Sequence, residues 1–482
     1  MVVANKANLN SRLSLRESVL VTFFRGAKGD CRFVVLLCVS LLVSSESLVW
    51  GFQQPSNNSD QWAQWRGPLG TGEAPNADPP TSWSGGENVK WKTPIPGKGH
   101  STPIVWGDTV FLTAAEAFGP KREPKFSGRP GAHDNAPVSQ QHRFLVVAVN
   151  RTDGKIRWQK NVHQAWPLEG AHNSSSLASA SCVTDGKFVW AHFGSYGLYC
   201  LDFDGKVVWK NMPGAMHTKH GHGEGSSPAL ANGTIVFNHD HEGQSFILAL
   251  DAESGKEIWR KPRSEVTSWS TPIILDHDGV AQVIVAGTAA VRSYRLTDGK
   301  ELWRCGGLSN NVVASPVSDG QRVYVGSSYD TRAMFAITLD GAQGDITNSD
   351  RVAWFTRDRT PYVPSPLLYD GSIYYLRHYQ NVLTRREAES GREKAGPFRI
   401  RGLRDIYASP VAAKNRIYIS DRDGATVVFS HVADLKNDVP RILWANSIDD
   451  RINASLALVG NQIFILGEKR LYCIEEQEQD SK

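Results

Sequence analysis

The chain has 482 residues, with 53 Lys and Arg against 49 Asp and Glu, 10% aromatic residues and 43 Gly. This is ample length for a large folded body, and a net charge of +4 excludes the broad basic field of a nucleic-acid binder. Residues 1–50 hold six basic side chains against three acidic ones, so most of that small excess sits at the N-terminus.

The first predicted element is an export signal or N-terminal anchor over residues 1–50. Arg25, Lys28 and Arg32 precede the apolar run "FVVLLCVSLLV" (33–43), and the small residues "SSES" follow. A run of about 11 apolar residues suits a signal-peptide core better than a bilayer span of roughly 20. An uncleaved anchor reaching Trp50 is the competing reading, and only then would the chain meet a membrane. The body is expected outside the cytoplasm, in the periplasm or the extracellular space. Cys31 and Cys38 belong to this leader. Cys182, Cys200, Cys305 and Cys473 form no CxxC pair and are expected as buried free thiols.

Residues 51–97 form an N-terminal arm, 98–475 a repeat-built body and 476–482 a polar tail. Eight Ser-x-Pro-like phrases open the repeats: "STPIVWGDTVFL" (101), "SASCVTDGKFVW" (179), "SSPALANGTIVF" (226) and "STPIILDHDGVAQVIV" (270), then "ASPVSDGQRVYV" (314), "PSPLLYDGSIYY" (364), "ASPVAAKNRIYI" (408) and "ASLALVGNQIFI" (454). Each reads as an apolar strand, a Gly/Asp/Asn turn and a second strand. A third strand, a turn such as "ESGK" and a fourth strand bearing Trp complete the unit. Four strands per roughly 44–50 residues is the period of a β-propeller blade. The predicted fold is therefore all-β, an eight-bladed propeller of four-stranded antiparallel blades. The last repeat stops at its third strand, "RLYCIE", so "NVKWKTPI" (88–95) is expected to pair with 470–474 and close the ring.

Trp91, Trp158, Trp209, Trp259, Trp303, Trp354 and Trp444 fall on the fourth strands, where a large ring can cover the neighbouring blade. Blade six, "EAESGREKAGPF", lacks one. The pattern Ala249-x-Asp251-x-x-x-Gly255-Lys256-x-x-Trp259 resembles the tryptophan-docking motif of the quinoprotein-like (PQQ-like) β-propeller repeat. The likeness covers about residues 62–475, including the start "WAQWRGP". It implies the fold directly, while the repeat serves both quinone-dependent dehydrogenases and non-enzymatic scaffolds.

In such propellers the loops leading into first strands share a face with those joining strands two and three. The leading loops place His100, His172, His222, Glu224, Trp269, Asn311, Tyr362, Tyr407 and Asn453 around one channel mouth, the expected ligand site. Blade three adds His217, His220, His239 and His241. With His222 and Glu224 these residues suit a transition ion, or else simply furnish hydrated polar loops. Residues 116–141 interrupt blade one on the same face, as a cover for the mouth or a plain surface insertion. Two functions follow. The first is an exported binding or scaffold module with no catalytic residue and no expected cofactor, whose partner is a protein, peptide or glycan. The alternative, implied by the resemblance, is a dehydrogenase of alcohols or sugars using PQQ with calcium. Against it, the chain lacks the adjacent cysteine pair common in that branch and any CxxCH haem site.

Overall fold

The structure, a computed structural model, describes residues 60–132, 134–394, 396–431 and 440–477. The leader lies outside the described residues. Eight sheets, each with four antiparallel strands, form the eight blades of a propeller, and one of them carries a fifth, parallel strand. Blade three shows the plan: Ala229–Ala231, Thr234–His239, Phe246–Asp251 and Glu257–Pro262 lie side by side in that order. Inner strands are packed on both faces by neighbouring blades, so "FILALD" is apolar almost throughout. Outer strands have one wet face. Val207–Asn211 therefore alternates between half-buried and exposed residues.

Blade eight is completed by the N-terminal segment, as the unfinished last repeat requires. Val89–Pro94 pairs with Arg470–Glu475 in a register running from Val89 opposite Ile474 to Pro94 opposite Arg470. Pro94 donates no backbone hydrogen bond, which an outermost strand tolerates.

Five of the seven fourth-strand tryptophans reach the turn of the next blade in the same way. Trp91, Trp158, Trp209, Trp259 and Trp354 donate their indole N–H to the carbonyls of Arg151, Phe203, Ala252, Leu296 and Ala388, at 2.7–3.0 Å. Each acceptor directly follows the last residue of a third strand. The adjacent glycine is required there. At Gly255, with φ +70°, a Cβ would stand 2.6 Å from the Trp209 ring.

Trp303 is buried by other means. The blade-five connection folds back, Gly344–Asp345 adds a parallel fifth strand beside Glu301–Cys305, and the Trp303 N–H meets Gln282 Oε1 at 3.3 Å. Trp444 departs from the expectation: it is 53% exposed. Its neighbour is blade eight, whose fourth strand comes from the N-terminus, so no turn exists there to receive the ring.

The arm preceding Val89 crosses the face opposite the mouth. Trp62 exchanges two 2.9 Å backbone hydrogen bonds with Val105 of blade one, and Ala63 O accepts from Thr184 of blade two. Farther along, Thr71 O accepts from Leu368 of blade six, Ala74 N–H donates to Ala412 of blade seven, and Asp78 N–H to Gly460 of blade eight. Between these anchors Arg66 is buried. Its guanidinium donates to Pro410 O at 2.7 Å, Pro366 O at 2.8 Å and Thr71 O at 3.1 Å, joining blades six and seven. Burial lowers its pKa to about 9, so it keeps its charge at neutral pH. The four described cysteines are buried and free.

Candidate functional site at the channel mouth

The Ser/Thr of each opening phrase has one structural task. Thr102 N–H donates to Ser181 Oγ, Ser181 N–H to Ser227 Oγ and Ser227 N–H to Thr271 Oγ1, at 2.9–3.0 Å. The series continues from Thr271 to Ser315, Ser315 to Ser365, Ser365 to Ser409 and Ser409 to Ser455, again at 2.9–3.0 Å. These bonds form a belt round the channel, one hydroxyl per blade. Its gap falls between Ser455 and Thr102, where the first and last repeats meet. The following Pro, present in six blades, has no N–H to satisfy at this crowded level.

Above the belt lies a cavity of about 670 Å³. Every blade contributes a leading-loop side chain to it: His100, His172, His222, Trp269, Asn311, Tyr362, Tyr407 and Asn453. The structure thus brings eight of the nine expected mouth residues to one space. It adds four rings that the sequence did not single out. Tyr329, His378 and Tyr379 come from loops joining strands two and three, and Trp65 of the arm rises into the floor, its N–H 3.3 Å from Ser315 Oγ.

Glu224 is the exception and does not reach the mouth. Its carboxylate turns behind Trp269 into a separate cavity of about 30 Å³. There Oε2 accepts the Ser195 N–H at 2.6 Å and Oε1 accepts the Ser195 hydroxyl at 2.5 Å. Desolvation raises its pKa to about 7 although both Ser195 bonds oppose the rise. Gly194 makes this possible, since a Cβ at that position would overlap Glu224 Oε2.

The six residues considered for a metal divide among separate neighbourhoods. His220 and His222 line the mouth with rings 5.2 Å apart, and the Asn135 side chain meets His222 Nδ1 at 2.7 Å. His217 lies at the surface with its ring against Glu169, and its backbone N–H donates to His241 Nδ1 at 3.3 Å. His239 is buried and stacks on Phe246 at 4.6 Å, with His241 beside it. Burial lowers the His239 pKa to about 3. Positive φ at His220, Gly221 and Gly223 coils the loop and sends successive side chains in different directions. Among the described residues, no group of three His, Cys, Asp or Glu is placed to hold a metal ion.

The remaining walls are built from tied polar groups. Asn453 Nδ2 donates to His100 Nε2 at 3.4 Å, and Asn311 Nδ2 to the Tyr362 hydroxyl at 2.6 Å. Burial, then Lys98 and Arg422, lowers the His100 pKa to about 3, leaving a neutral imidazole. The blade-one insertion joins the wall. Asn135–Ala136 pairs with Ala171–His172, and the Asn135 amide donates to His220 O and Gly221 O at 2.8 and 2.7 Å. Gly131 and Asp134 of the same insertion line the cavity.

A family model described as outer membrane protein assembly factor BamB matches residues 142–395, more than half the chain. The chain belongs to this PQQ-like β-propeller family. BamB of Escherichia coli is 26% identical over 352 residues, covering 61% of this chain and 82% of that protein. Tetrathionate hydrolase of Acidithiobacillus ferrooxidans is 23% identical over 338 residues, covering 61% of this chain and 66% of its own length. Among solved structures, the quinohemoprotein alcohol dehydrogenase of Comamonas testosteroni superposes with a TM-score of 0.56 at 9% identity, over 88% of this chain and 82% of that one. That likeness is one of fold.

Proposed function

We propose that this family member is an exported binding or scaffold module that holds its ligand at the channel mouth. The observation that carries the reading is the mouth itself, one cavity to which all eight leading loops contribute side chains. Membership of a family described by an outer-membrane assembly factor supports a protein partner in the cell envelope. The test is photocrosslinking from two single positions in the full-length protein. Tyr329 is half exposed at the rim, and Ile442 is equally exposed on the outer edge of blade seven. Envelope components should be captured from position 329 and not from 442. Equal capture from both positions, or none from 329, would overturn the reading.

The dehydrogenase alternative would place quinone chemistry on the fold shared with the quinohemoprotein. PQQ chemistry of that kind asks for calcium held by several hard oxygen ligands beside the quinone. The only carboxylates lining the cavity, among the described residues, are Asp134 and Asp405, supplied by the blade-one insertion and the blade-seven leading loop. Two carboxylates from separate blades, with asparagine amides beside them, are a poor match for that ligand set. Incubation with PQQ and Ca²⁺ should give no alcohol- or glucose-dependent dye reduction. Turnover in that assay would restore the enzyme reading.

A further inference from the structure

We propose that the mouth takes a neutral saccharide of two or three units, an inference that rests on the mouth being the ligand site. The floor motivates it. The Trp65 indole lies across the channel, lining the mouth on one side and a cavity of about 530 Å³ on the other. Around it stand the belt hydroxyls of Ser181, Ser227, Thr271, Ser365, Ser409 and Ser455, all lining the mouth. Each uses a lone pair to accept the preceding blade's N–H, and none, among the described residues, donates its own proton. A hydroxyl keeps one donor after accepting. The floor is thus an apolar ring encircled by O–H donors on residues only 1–5% exposed. A pyranose has the matching surface, an apolar C–H face bounded by a circle of hydroxyls.

The walls select against other ligands. No Lys or Arg is among the described residues lining the cavity, whereas phosphates and carboxylates are held best by charge-assisted bonds. A proline-rich peptide needs open aromatic faces in its groove. Here the rings of Tyr329, Tyr362, His378, Tyr379 and Tyr407 run in one series, with centroids 4.4–5.9 Å apart. Lys219 and Arg422 cover the terminal rings. Apart from the half-exposed Tyr329 at the rim, these faces lie against one another, so the row offers mainly edges and hydroxyls. A volume of about 670 Å³ admits a short saccharide.

The experiment is calorimetric titration of the full-length protein with maltotriose, cellotriose and chitotriose, beside PQQ with Ca²⁺ and a proline-rich decapeptide. Two variants are carried along, Trp65→Phe at the floor and Asn453→Ala on the wall, each first shown by melting to be folded. One trisaccharide should bind the wild type, with affinity falling at least about tenfold in Trp65→Phe and measurably in Asn453→Ala. No trisaccharide binding, with the peptide or PQQ bound and weakened by the same changes, would overturn the saccharide and leave the mouth as the site. A trisaccharide bound equally by all three proteins would overturn both, since it would sit elsewhere. Binding of no probe overturns the saccharide, and the crosslinks from position 329 then decide the mouth independently.

Discussion

The indole of Trp259 is 6% exposed and anchored by one 2.7 Å hydrogen bond to blade four, whereas that of Trp444 is 53% exposed. The two residues occupy equivalent strand positions, so they form a controlled pair. Trp259→Ala should cost about 3–5 kcal/mol, the usual range for emptying a buried tryptophan site. Trp444→Ala should stay within about 0.5 kcal/mol. Urea denaturation of both variants measures this, and equal costs would show that blade contact does not govern the motif. Glu224 supplies a second residue-scale outcome. Its folded-state pKa, about 7, stands above its ordinary value of 4.5, so the folded protein binds that proton more tightly than the unfolded chain. This group's contribution is fully favourable below about pH 4.5 and is lost as pH rises to about 7. Glu224→Gln should therefore gain stability relative to wild type across that window and hold the gain above it. Parallel stability curves from pH 4 to 8 would refute the shift.

At the scale of elements, legibility in the sequence followed chain proximity. The eight opening phrases, the docking tryptophans and the unfinished last repeat are local patterns, and the structure has eight blades closed where those patterns place the seam. The leading-loop residues of the mouth were legible because each stands at a fixed offset from its opening phrase. Trp65 was not, although "WAQWRGP" was conspicuous, because nothing local shows that the arm crosses the ring and enters the channel from below. Tyr329, His378 and Tyr379 belong to short loops whose stacking arises only when blades five, six and seven stand together. Glu224 was misplaced for a local reason, the inward turn permitted by Gly194. The arm is fixed chiefly through Arg66, whose guanidinium serves three carbonyls with no carboxylate partner among the described residues. Arg66→Met keeps the stem but takes the guanidinium donors from the Pro366 and Pro410 carbonyls, while Thr71 O keeps the Leu368 N–H, so it should cost at least about 2 kcal/mol. Hydrogen exchange should also quicken at the amides of Ala74, Asp78 and Leu368, which bind or bound the arm. Unchanged exchange there would mean that the backbone pairing alone holds it.

The whole molecule is a ring whose seam and floor are made by one segment. Val89–Pro94 gives blade eight its outer strand, Trp91 docks that blade on blade one, and the arm before it spans blades one, two, six, seven and eight. Removing residues 1–98 therefore opens the ring at blade eight, exposes the Arg470–Glu475 edge and takes Trp65 out of the channel. The loss exceeds that of any single contact, because the edge strand's amides and carbonyls lose their partners together while the Trp91 packing disappears. A chain beginning at residue 99 should melt far below one beginning at residue 51, or fail to fold as a monomer. Adding residues 60–97 in trans as a synthetic peptide should recover part of the lost stability, since its anchoring bonds to blades one, two, six, seven and eight are all made with the remaining ring. Light scattering of the shortened chain should show association through the bare edge, suppressed by the same peptide. If the shortened chain melts with the longer one and stays monomeric, the first and last blades hold together without the seam, and the arm is an ornament on a ring already closed.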